Sequence, residues 1–178
     1  MLGTFPPQPV RWSMEFYYPN RNNDMWRIAG LVFFGDRDHF WLAGENRFDR
    51  PRIEAFLSRR GIALWDVGMA VRRLNGNASD KFLEIVEEID LAGLLSAHPT
   101  IRTVVTAGEK ATGVVAGQAS VSVPAVGVPV ACAVGDRAFE LWRMPSSSRA
   151  YPLALAKKAE AYRTMFAAAG LFHENCDQ

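Results

Sequence analysis

Four short apolar runs, separated by longer stretches of helical character, constrain this chain more than any other feature. They are Met1-Leu2, Ile62-Ala63-Leu64-Trp65, Thr103-Val104-Val105-Thr106 and Phe139-Glu140-Leu141-Trp142-Arg143-Met144. Each is too short for a helix and bounded by turn-forming residues, so each reads as a buried strand. Helical stretches fall between them. Asn23 or Asp24 can cap a helix through Met25-Trp26-Arg27-Ile28, and Asp49 precedes a helix from Pro51 that stops near Gly61. Ser79 to Glu88, Leu91 to Ala97 (capped by Asp90), Gly108 to Val115 and Leu153 to Ala169 complete the set. Such alternation predicts an α/β fold with three layers, α/β/α, around a central four-stranded, mostly parallel sheet. The uncharged Val/Ala/Gly/Pro stretch 117–135 reads as a long connection with short extended pieces. Only Met1 and Leu2 precede Gly3, whereas a strand normally runs to about five residues. The first strand is therefore expected to be very short, or the natural protein to begin upstream.

The 178 residues are expected to form one domain, 1–178, and the 49% hydrophobic content suffices for a real core. No apolar run approaches the roughly 18–20 residues that span a bilayer, and Pro6, Pro7 and Pro9 break the pattern of a secretory leader. Cys132 and Cys176 are far apart and read as reduced thiols. His39, His98 and His173 fall outside any spaced cluster of ligating side chains, so no metal is expected. A net charge of +1 excludes a uniformly basic nucleic-acid binder, yet 16 of the 20 basic residues are Arg, whose planar fork suits phosphate and carboxylate.

In open α/β sheets, ligands bind beyond the carboxyl ends of the strands. Four segments should therefore share one rim: Gly3-Thr4-Phe5-Pro6-Pro7, Asp66-Val67-Gly68, Ala107-Gly108-Glu109-Lys110, and Met144-Pro145-Ser146-Ser147-Ser148-Arg149-Ala150-Tyr151-Pro152. The first runs into a loop that crowds Trp12, Phe16, Tyr17, Tyr18 and Trp26 around Asn20, Asn22 and Asn23. Flat rings receive a flat ligand by stacking. The three serines offer hydroxyls and backbone N–H groups ahead of a helix, a setting that favours anions; they also suit a capping cluster. Adjacent residues of an extended loop point opposite ways, so one of Tyr17 and Tyr18 is expected to stack. Trp26 reads as core.

A Gly-x-x-Pro turn after the first strand, paired with a Pro-Ser-rich turn after the last, resembles the uracil-DNA glycosylase superfamily over nearly the whole chain. The likeness is closest to the branch that includes hypoxanthine-DNA glycosylases. It is carried by Gly3-Thr4-Phe5-Pro6-Pro7, Tyr17-Tyr18-Pro19 with Asn23-Asp24-Met25-Trp26, Gly61-Ile62-Ala63-Leu64-Trp65-Asp66-Val67 and Met144-Pro145-Ser146-Ser147-Ser148. The resemblance implies a monofunctional glycosylase that removes a deaminated base from DNA with water as nucleophile and no cofactor. A monomer is expected, in a bacterial-type cytoplasm and associated with the nucleoid. Thr4, Phe5, Pro6, Phe16, Tyr17, Tyr18 and Asp66 become base-pocket candidates. Gly3, Arg11, Arg21, Pro145, Ser146, Ser147, Ser148 and Arg149 become DNA contacts, with Arg149 placed to reach a phosphate or to enter the gap left by the base.

The sequence departs from the superfamily at Phe5, where many members carry an Asp or Asn that positions the water, and at Thr4, where another branch carries Glu. The resemblance then implies Asn23 for that task, with Asn20 and Asn22 as alternatives; a helix cap is the other use of the same side chain. An ionised Asp66 can only accept hydrogen bonds, so it suits a ring N–H or an exocyclic amine; a cap of the following turn is the other use of the same side chain. Arg27, Arg72, Arg73, Lys157 and Lys158 read as solvated faces. Two other readings stay open: a non-catalytic nucleic-acid binder of the same fold, favoured by Phe5, and a small-molecule hydrolase using a serine among 146–148.

Overall fold

The computed structural model describes residues 1–74 and 82–172. In chain order the elements are β1 (Leu2–Gly3), α1 (Met25–Phe34), β2 (Trp41–Leu42), β3 (Arg47–Phe48), α2 (Arg50–Arg60), β4 (Trp65–Asp66), β5 (Gly68–Arg73), β6 (Leu83–Glu88), α3 (Leu91–Ala97), β7 (Thr103–Ala107), α4 (Glu109–Gln118), β8 (Pro129–Val134), β9 (Arg137–Met144) and α5 (Leu155–Ala168). The central sheet runs β4-β1-β7-β9-β8, with β4, β1, β7 and β9 parallel and β8 antiparallel at one edge. Strands stand at all four expected places, although β4 covers Trp65–Asp66 and leaves Ile62 to Leu64 outside it, and the fold class is as expected.

The sheet has five strands rather than four because β8 forms inside the stretch read as a connection. Val130, Cys132 and Val134 turn inward while Pro129, Ala131 and Ala133 face out. That period-two pattern was masked by small residues on both faces. Proline is tolerated at the first position of an edge strand. Residues 83–88 depart from the expected helix over Ser79 to Glu88. They form β6, paired antiparallel with β5 through Val71 and Ile85. Residues 79–81 of that expected helix lie outside the described residues, as do His173 and Cys176.

Side-chain alternation along β7 and β9 builds the two main cores. Val104 and Leu141 face α3 and α4 with Leu91, Leu95 and Val115. Val105 and Trp142 face α1 and α5 with Ile28, Tyr162 and Met165. A third cluster packs Trp26 of α1 against Phe40, Phe48, Ile53 and Phe56, which makes Trp26 core as expected. Leu141 is fully buried at the centre of the first core. Leu141→Ala should cost about 3 kcal/mol in urea denaturation, from lost burial plus the cavity it leaves.

Two residues suffice for β1 because both its edges are paired. Leu2 lies opposite Trp65 on one side and Thr106 on the other. Met1 C=O accepts from Trp65 N–H (3.0 Å) and Gly3 C=O from Val67 N–H (2.9 Å), which extends the ladder beyond the strand itself. Among the described residues, no helix is long and apolar enough to cross a membrane.

Candidate active site

The carboxyl ends of β1, β4, β7 and β9 open onto one cavity of about 580 Å³. Gly3 to Pro7 form its floor on one side, Asp66 and Ala107 stand beside them, and Ser146 to Pro152 form the opposite wall. The loop ahead of α1 closes it with Tyr18, Asn20, Asn22 and Asn23. Gly3 is required by close approach: a Cβ there would lie 2.5 Å from Asp66 Oδ1 and 3.4 Å from Tyr18 Oη. Thr4 C=O accepts from Gly68 N–H (3.0 Å), which fastens the floor to the start of the β5–β6 hairpin. Arg73, read as a solvated face, instead donates to Pro6 C=O and lies 5.8 Å above the Phe5 ring.

The aromatic/Asn loop is stiff because its own polar groups bond within it. Trp12 Nε1 donates to Pro7 C=O (2.7 Å), and Ser13 Oγ donates to Pro19 C=O (2.8 Å). Asn20 Oδ1 accepts from Asn22 N–H (2.9 Å), an Asx turn. Tyr18 adopts a left-handed backbone conformation (φ +51°), uncommon for a bulky residue. This turn places Tyr18 on the cavity wall, edge-on to Trp26 at 6.1 Å. Phe16 and Tyr17 do not line the cavity. Phe16 packs on Trp26 and beneath the Arg50 guanidinium, and Tyr17 sits edge-on to Phe16. Burial and, secondarily, the charge of Asp66 hold the Tyr17 phenol above its usual pKa.

Asn23 lies on the cavity wall, and its Oδ1 accepts from Met25 N–H (2.9 Å) at the start of α1. The side chain thus tethers the helix start, yet an amide oxygen has a second lone pair. In the adjoining serine segment, Ser146 Oγ accepts from Ser148 N–H and Ser148 Oγ from Ala150 N–H, each at 3.2 Å. Accepting those bonds leaves each hydroxyl its hydrogen to donate. Ser147 is buried and its C=O accepts from Asp24 N–H (2.8 Å). Pro145 lies beneath the wall, not on it, and its C=O accepts from the buried Tyr162 hydroxyl (3.1 Å).

Behind the walls lies a buried ion cluster. Asp24 accepts from Lys158 Nζ through Oδ2 (3.1 Å) and from Arg149 Nε through Oδ1 (3.0 Å), and Lys158 also donates to Ser148 C=O (2.7 Å). Lys158 is 1% exposed, which overturns its reading as a solvated residue. It sits on the inward stripe of α5 with Tyr162 and Met165, at i, i+4 and i+7. Arg27 is likewise buried, 5.2 Å over both Trp41 and Phe48, and donates to the carbonyls of Arg21 and Asn23. Arg72 and Lys157 remain exposed, paired with Glu84 and Glu160. Arg149 is held by Asp24 and half-exposed beside the cavity. Arg11 also lines the cavity, whereas Arg21 lies beside an adjoining hollow of about 290 Å³.

Twelve of the candidate residues, Gly3, Thr4, Phe5, Pro6, Arg11, Tyr18, Asn23, Asp66, Ser146, Ser147, Ser148 and Arg149, therefore share one cavity with the alternatives Asn20 and Asn22. Phe16, Tyr17, Arg21 and Pro145 stand outside it. Tyr151, at the end of the fourth rim segment, lines the cavity as well, and Asp24 and Lys158, neither a site candidate from sequence, support it from behind. Among the described residues no group of three or more His, Cys, Asp or Glu side chains could hold a metal ion.

No family model and no curated protein matches this chain. A solved structure does. The solution NMR structure of a "putative Uracil DNA glycosylase" from Methanosarcina acetivorans is 23% identical to it, with a TM-score of 0.58, over 93% of this chain and 88% of that one. The two proteins share a fold along almost their full lengths.

Proposed function

We propose that this protein is a monofunctional DNA glycosylase that hydrolyses the bond between a deaminated base and its deoxyribose. One observation carries the reading: a single cavity at the strand ends gathers a flat ring (Tyr18), an uncharged amide (Asn23), an acceptor (Asp66) and a wall of serine hydroxyls. The name given to the protein of like fold agrees with it.

A base in a duplex must leave the stack before it can be cut, and a pocket must then hold it. Tyr18 offers the face for stacking, and Asp66 accepts the ring N–H that uracil and hypoxanthine both present. As the glycosidic bond breaks, its electron pair leaves with the base and the sugar becomes oxocarbenium-like. Water adds at the anomeric carbon and gives up a proton to solvent while the base anion takes one up, so the products are the free neutral base and an abasic site. Asn23 Oδ1, fixed by Met25 N–H, directs its second lone pair at a water hydrogen and so aligns the water oxygen. A sugar cation needs a well-placed nucleophile more than a strong base. Ser146, Ser148, Arg149 and Arg11 meet the phosphates. Water rather than a lysine amine as nucleophile is supported by Lys158, which is buried and held by Asp24 and Ser148.

The reading is tested with oligonucleotides containing uracil, hypoxanthine, xanthine or thymine, single-stranded and opposite each normal base. Strand cleavage should appear only after alkali. Asn23→Ala should lower the single-turnover rate about a hundredfold at an unchanged folded signal. Phe5, an apolar ring where many members of the resembled superfamily carry an acid or amide, favours a second reading as a non-catalytic binder. Well-folded protein that binds these DNAs and cuts none of them would replace the first reading with the second.

A further inference from the structure

We infer that Lys158 is a positioning residue: through Asp24 and the Ser148 carbonyl it clamps the asparagine wall of the cavity to the serine wall. Burying an ammonium is costly unless it is paired and hydrogen-bonded. Lys158 is 1% exposed and has acceptors from both walls, Asp24 Oδ2 at 3.1 Å and Ser148 C=O at 2.7 Å. Asp24 directly follows Asn23, and Ser148 itself lines the cavity. The ammonium therefore lies one residue from an amide on one side and at a cavity residue on the other. Next to it the walls bond directly: Asp24 N–H donates to Ser147 C=O (2.8 Å), and Asn23 and Ser148 form an isolated antiparallel bridge. Arg149 completes the arrangement by taking the other oxygen of Asp24.

A serine-loop helix cap would need none of this. The cap residue of α5 is Ala154, which makes no side-chain cap bond, so the lysine is not there to finish the helix. What it fixes is a separation between two loops distant in sequence. Transfer chemistry is sensitive to such a separation, since a misplacement of about 1 Å can lower a rate by about a hundredfold.

The clamp rests on the glycosylase reading only for its rate measurement; its second measurement needs no catalysis. Lys158→Met, read under conditions where it is folded, should speed amide exchange of Asp24 N–H at least about tenfold, because that bond spans the walls. It should slow single-turnover excision about thirtyfold while DNA affinity changes less than about threefold. Leu141→Ala, destabilised from the opposite face of the sheet, should change neither by more than about twofold. Lys158→Gln, which keeps one donor and loses the charge, is read by the same criteria if the methionine variant does not fold. Exchange and rate that match wild type in the Lys158 variant, or an equal rise in exchange and fall in rate in Leu141→Ala, would overturn the clamp. If wild-type protein excises no base, the glycosylase reading fails and the exchange of Asp24 N–H alone decides: faster supports the clamp, unchanged overturns it.

Discussion

Asp24→Ala is expected to lower folding stability by about 4 kcal/mol, a large share of what holds a domain of this size together. The loss does not come from the aspartate's own contacts alone. Removing the carboxylate leaves the Lys158 ammonium buried at 1% exposure with a carbonyl but no anion, and it releases Arg149 Nε as well. The diagnostic result is non-additivity. Lys158→Met in the Asp24→Ala background should recover most of the lost stability, because a buried pair replaced by apolar groups is far less costly than one half of a pair left behind. Urea denaturation of both single variants and the double provides the cycle. A double variant no more stable than Asp24→Ala would show that the charge is not the source of the loss.

Gly3→Ala should lower excision by at least about a hundredfold with a smaller effect on stability, about 1–3 kcal/mol. The added Cβ would lie 2.5 Å from Asp66 Oδ1, closer than non-bonded atoms approach, and 3.4 Å from Tyr18 Oη. Strand β1 cannot retreat, because it is paired on both edges. The carboxylate must therefore swing out of the position from which it would meet the base. Steric origin has its own signature: once Asp66→Ala has removed the obstacle, Gly3→Ala should cost little more. Comparable rates for Asp66→Ala and the double variant are expected, and a further large fall in the double would point instead to distortion of the strand.

The strands with unbroken apolar runs were legible without the structure. Val104-Val105 and Leu141-Trp142 send alternate side chains to opposite faces, which only a sheet covered on both sides accommodates. Strand β8 was hidden because alanine and proline carry little hydrophobic signal. Strand β6 was misread because Glu84, Glu87 and Glu88 look like the polar face of a helix; its pairing with β5 decides its form. The site was legible where strand ends dictate it, at Gly3, Asp66 and the serine wall. It was not legible where one backbone torsion decides. The left-handed turn at Tyr18 selects that ring over Phe16 and Tyr17, and nothing in three consecutive aromatics announces it. Lys158 and Arg27 were placed on the surface because charge defaults there, and only partners brought in by the fold reverse the default.

The cavity's two walls are joined by the long-range bonds of Asp24, which reaches Arg149 across 125 residues and Lys158 across 134. Even the middle of the sheet must wait, because Leu2 has no partner on its second edge until Thr106 exists. Contacts of such range form late, after the loop-closure entropy of the intervening chain has been overcome. During synthesis, the emerging polypeptide can assemble the aromatic cluster around α1 and α2 early, but the pocket must await α5. A chain interrupted before Lys158 would carry folded parts and an open cleft, and quality-control proteases would meet the unfinished site before any substrate did.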